Sequence, residues 1–119
     1  MWNNAFAVYR IEITAREKWT IYRRYSAFEN LHKALLNELG QAYIDAGIVF
    51  PERDYQGSFF ASRSSMVSQR IPLLQKFLND IILKKVPSIR IKTFFDFDEK
   101  GISGVRCVIE FSLKTFTAK

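Results

Sequence analysis

The chain has 119 residues, 48% of them hydrophobic, with only five Gly and three Pro. That composition suits one folded domain spanning 1–119 and excludes both a disordered tract and two separate cores. Eighteen Lys and Arg against twelve Asp and Glu give a formal charge of +6, which favours an anionic partner: nucleic acid, an acidic protein or the cytosolic face of a membrane.

Residues 6–14 alternate, with Tyr9, Ile11 and Ile13 on one face and Val8, Arg10 and Glu12 on the other, which predicts a half-buried strand. A polar turn at Ala15-Arg16-Glu17-Lys18 leads into a second alternating run around Trp19 and Ile21, so residues 6–24 read as a β-hairpin. Ser26 and Glu29 have the spacing of a capping box, and Phe28, Leu31, Leu35 and Leu39 recur at helical spacing. A helix over 27–39 is therefore predicted, closed by Gly40 as its C-terminal cap. Arg23, Arg24 and Tyr25 then fall where strand hands over to helix, and the unpaired N–H groups of a helix start suit an anion such as a phosphate. The same pair also reads as two solvated charges at a strand end.

Residues 41–63 have weak periodicity and contain Gly47, Pro51 and Gly57, the marks of a long loop. Phe59 and Phe60 with Arg63 close by form an apolar-basic cluster that suits contact with a lipid interface, or an anchor of the loop to the core. Val67, Ile71, Leu74, Leu78 and Ile81 predict the next helix, and Pro72 within it predicts a kink or break near 68–72. A short helix over 89–97 with Ile91, Phe94 and Phe95 inward follows Val86-Pro87-Ser88. After a link at 98–104, Val105, Cys107, Ile109, Phe111 and Leu113 alternate with Arg106, Val108, Glu110, Ser112 and Lys114. This strand, 105–113, has only the hairpin to pair with, so the expected fold is α+β: a three-stranded antiparallel sheet packed against a helical subdomain.

No apolar run approaches the roughly 20 residues of a membrane-spanning helix, and no charged-then-apolar signal opens the chain. Cys107 is the single cysteine, so no internal disulfide forms and a reducing compartment is the simplest fit. His32 is the single histidine and lacks partners at metal-ligand spacing. No Ser-His-Asp set, glycine-rich phosphate loop or CxxC is present, so neither catalysis nor a cofactor is expected.

Trp19 followed by Arg23-Arg24-Tyr25-Ser26-Ala27-Phe28 resembles the signature of phox-homology (PX) domains, which bind phosphoinositides. Phe50-Pro51-Glu52-Arg53 is similar to that family's proline loop with its basic residue, and Arg70 before Ile71-Pro72-Leu73-Leu74 to its later arginine and apolar helix. The three motifs lie in order within residues 5–97. The resemblance implies that Arg24 holds the 3-phosphate of an inositol headgroup and Tyr25 packs against the ring. Arg53 then meets the 1-phosphate, and Arg70 bonds the 4- and 5-hydroxyls. The implied partner is phosphatidylinositol 3-phosphate on cytosolic, endosomal membranes, met by a peripheral module.

Two departures stand out: a single Pro51 followed by Glu52 in place of consecutive prolines and lysine, and no strand ahead of residue 6. Strand 105–113 is expected to supply the missing strand, within one molecule or by exchange between two, as in a circularly rearranged order of elements. Glu52 keeps open a protein-interaction module on the same fold, with a degenerate lipid site. Nucleic-acid binding rests on charge alone and is not expected, since the aromatic-basic strand motif of an RNA-recognition fold is missing.

Overall fold

The computed structural model describes the backbone of residues 3–51, 63–97 and 104–117, and the side chains of 8–51, 68–97 and 104–110. Strand β1 (Asn3–Thr14) and strand β2 (Lys18–Arg23) form the expected hairpin, followed by helices α1 (Tyr25–Leu39), α2 (Gln41–Asp45), α3 (Arg63–Leu83) and α4 (Ile89–Phe95), and then strand β3 (Arg106–Thr117). The sheet order is β2-β1-β3, antiparallel throughout. The C-terminal strand thus pairs with β1 of its own chain, from Asn3 opposite Thr117 to Thr14 opposite Arg106.

Alternation decides which side of the sheet is wet. Tyr9, Ile11, Ile13, Ile21, Val105, Cys107 and Ile109 are buried on the helical side, while Arg10, Glu12 and Glu110 meet as exposed ion pairs on the other. Such surface pairs stabilise little; the buried row carries the packing. The outer edge of β3 is covered by a side chain. Gln75 of α3 donates to the Cys107 carbonyl (2.8 Å) and accepts from the Ile109 N–H (2.9 Å). One amide thereby satisfies strand groups that an open edge would leave to solvent or to another chain.

Several local expectations are corrected. Helix α1 begins at Tyr25 rather than 27, its N-cap is Arg24 in extended conformation, and no side chain caps it. Ser26 consequently lies inside the first turn and cannot act as a capping-box residue. Part of the expected 41–63 loop is helix α2, which seals its single inward side chain, Tyr43, against the core. Helix α3 runs through Pro72 without a break, which corrects that half of the expectation of a kink or break. Pro72 is exposed, so the carbonyl that its ring deprives of a donor faces water and costs less than in a buried helix. Helix α4 ends at Phe95, two residues short of the expected end, where Asp96 adopts the left-handed conformation. Gly40 does cap α1, with a positive φ of 55° and its N–H on the Leu36 carbonyl.

Burial pushes the Tyr9 and Tyr43 phenols up to about 12 and the Cys107 thiol up to about 11. Each group is held neutral in the fold but ionises near 10 or 9 once unfolded, so the unfolded chain binds fewer protons in that range. Stability is therefore complete below about pH 8.5 and is lost as pH rises through roughly 9–12, by a few kcal/mol in all. Urea midpoints measured from pH 7 to 11 should hold level and then fall; a level profile to pH 11 contradicts this.

Candidate functional site

The paired arginines part company at the end of β2. Arg23 turns toward α4: its Nε and Nη2 donate to the Phe94 carbonyl (3.1 and 2.7 Å) and Nη2 also meets the Asp96 carboxylate at 3.1 Å. Its guanidinium lies over the Phe94 ring. A cation at the carbonyl end of a helix is favoured by the helix dipole, so Arg23 ties α4 to the sheet. Trp19 assists from the same strand, its indole N–H donating to the Phe95 carbonyl at 2.8 Å and its ring stacking on Phe97. Alternation then sends Arg24 the other way, to an exposed position at the start of α1.

Tyr25 follows directly and is 8% exposed. Its hydroxyl donates to the Pro51 carbonyl at 2.6 Å, and its ring is tilted against Phe50 at 5.5 Å. Phe50 is fixed further by an edge-to-face contact with Phe77 (5.0 Å) and a stack on His32 (4.8 Å, 11°). His32 Nδ1 in turn lies 2.8 Å from the Tyr43 hydroxyl. The head of the proline loop is thus bolted to α1, α2 and α3 by aromatic packing, each contact worth about 0.5–1.5 kcal/mol beyond area burial. His32 serves as a packing residue, and among the described residues no cluster of His, Cys, Asp and Glu could hold a metal ion.

Among the described residues Arg70, on α3, is the one charged side chain that is buried, at 5% exposure. Its guanidinium carbon stands 4.1 Å from the centre of the Tyr25 ring, and it is in hydrogen-bonding contact with the Tyr9 hydroxyl of β1. A guanidinium taken out of water is costly unless hydrogen bonds and a ring face compensate it. Tyr9 and Tyr25 supply part of that compensation, and the Arg70 Nε is buried without a hydrogen bond of its own.

Of the residues singled out in the sequence, the structure brings Tyr25 and Arg70 together, with Pro51 against the Tyr25 hydroxyl, while Arg24 precedes Tyr25 at an exposed position. Arg53, Phe59 and Phe60 lie outside the described residues, and Arg63 is described only as the first residue of α3. Tyr9 was not among the residues singled out. Its place in a strand's inward row reads as core, and only a phenol among isoleucines hinted at a polar contact. A separate open groove of about 750 Å³ runs between α1 and α4, lined by Ala27, Leu31, Ala34 and Phe94 and flanked by Arg23 and Arg90. Arg90 is engaged there with Glu38 at 3.1 Å.

No helix among the described residues is long and apolar enough to cross a membrane. No solved structure matches the chain. The family model of the PX domain matches residues 11–98, covering the hairpin from Ile11, helices α1 to α4, and Arg24, Tyr25 and Arg70. PX domains are phosphoinositide-binding, membrane-targeting modules and generally non-catalytic. The chain belongs to the PX domain family.

Proposed function

We propose that the chain recognises phosphatidylinositol 3-phosphate and docks peripherally on the cytosolic, endosomal membranes that carry it. Arg24 grips the 3-phosphate with its planar fork of donors, beside a helix start that favours anions. Tyr25 forms the aromatic floor of the site. Arg53 meets the 1-phosphate, and Arg70 bonds the 4- and 5-hydroxyls and leaves no room for phosphates there. Phe59, Phe60 and Arg63 touch the lipid interface. The observation that carries this reading is the meeting of Arg70 with Tyr25 immediately beside Arg24. A buried guanidinium is expensive to keep, and such groups concentrate where a ligand is bound.

Vesicle co-sedimentation tests it. Arg24→Gln is expected to reduce binding to phosphatidylcholine vesicles containing phosphatidylinositol 3-phosphate by more than about tenfold. The unfolding midpoint should barely move, because Arg24 is exposed at the start of α1. Undiminished binding by this variant overturns the proposal.

The groove between α1 and α4, together with Glu52 beside Pro51, favours a second reading: a module that binds another protein on the PX fold. Lack of any response to phosphoinositide vesicles by the folded chain would select it.

A further inference from the structure

We infer that Tyr9 is a positioning residue for headgroup recognition: its hydroxyl, anchored in the sheet, holds the Arg70 guanidinium against the Tyr25 ring in the orientation that reads the inositol hydroxyls. This inference rests on the phosphoinositide reading above and names a residue that acts through Arg70 without touching the lipid.

Strand geometry explains why a phenol stands there. Tyr9 occupies the inward row with Ile11 and Ile13, is 1% exposed, and meets Phe28 edge-to-face at 5.5 Å. Phenylalanine would fill the same space, so the hydroxyl is what distinguishes the residue. A buried hydroxyl needs a partner, and this one has Arg70. Because burial keeps the phenol neutral up to about pH 12, it accepts a hydrogen bond as a dipole and does not bind the arginine as a counter-ion. Arg70 therefore keeps its charge available to a ligand.

The second side of the clamp is equally fixed. The Tyr25 ring lies 4.1 Å from the Arg70 guanidinium carbon, and its own hydroxyl is tied to the Pro51 carbonyl. Sheet, helix start and proline loop thus converge on one flexible side chain. An arginine left to rotate would lose side-chain entropy on binding; one already held loses less and presents one set of donors.

The test is a double-mutant cycle with Tyr9→Phe and Arg70→Met. It is read as binding to phosphatidylcholine vesicles containing phosphatidylinositol 3-phosphate or the 3,5-bisphosphate. Tyr9→Phe should weaken binding to the monophosphate about tenfold, and preference over the bisphosphate should shrink by a similar factor. In the Arg70→Met background it should change neither. A purely structural tyrosine would not alter the preference between lipids.

Wild-type binding with an unchanged Tyr9→Phe variant, or equal losses in both backgrounds, overturns the inference and leaves the phosphoinositide reading standing. A wild-type chain that binds neither vesicle overturns both. If Tyr9→Phe does not fold, arginine side-chain NMR of the wild type decides. Separate, slowly exchanging Arg70 Nη protons with cross-peaks to the Tyr9 ring support the clamp, and a freely rotating guanidinium refutes it.

Discussion

A chain ending at Phe97 is expected to lose its cooperative unfolding transition. The missing strand β3 pairs with every residue of β1 from Asn3 to Thr14 and buries Val105, Cys107 and Ile109 over the helical side. Without it, one edge of β1 has no ladder partner, Ile11 and Ile13 lose cover, and Gln75 loses both strand groups it satisfies. Three buried side chains and one flank of a strand together amount to more than about 5 kcal/mol, as much as many domains have in total. The check is near-ultraviolet circular dichroism through a urea titration, with and without an added peptide of residues 104–117. No transition alone and partial recovery with peptide are expected. A shortened chain that melts like the full one contradicts the role given to β3.

Phe28→Ala is expected to cost about 3–5 kcal/mol. Phe28 is fully buried and stands where three elements meet: Tyr9 of β1 touches it edge-to-face at 5.5 Å, and Phe94 of α4 at 5.1 Å. Truncation leaves a cavity between rings held by separate elements, none of which can move in to fill it without breaking contacts elsewhere. For a domain of this size the midpoint should fall by more than about 10 °C in calorimetry. A fall of a degree or two would mean that α1 packs on the sheet by other contacts. The exposed Leu36 of the same helix is a control, where alanine should change little.

The elements legible from sequence were those whose pattern is local. The inward rows of β1 and β3 follow from alternation, and Gly40 from the conformation that a helix exit demands. The addition of β3 to the hairpin was legible by elimination, since a strand with a buried face needs a neighbour; that β1 is its partner was not. Boundaries set by non-local contacts were not. Tyr25 reads as a loop residue until the Pro51 carbonyl and the Arg70 guanidinium engage it from distant parts of the chain; α1 begins at that anchored residue. Helix α2 offers one inward side chain in five residues, too few for periodicity to register. The candidate site divides in the same way. Arg24, Tyr25 and Arg70 were marked by type and family resemblance, but Arg23 looked equivalent to Arg24 until α4 claimed it. Tyr9 was hidden by its place in an apolar row.

The register of the outer ladder has a mechanical consequence. Asn3 lies opposite Thr117 while Thr14 lies opposite Arg106, so the start of β1 and the end of β3 share one end of an antiparallel ribbon. Tension between them loads a single rung at a time and peels β3 from β1, instead of shearing all the rungs together. Pull applied between Asn3 and Thr117 thus meets this ladder in its weak, unzipping direction.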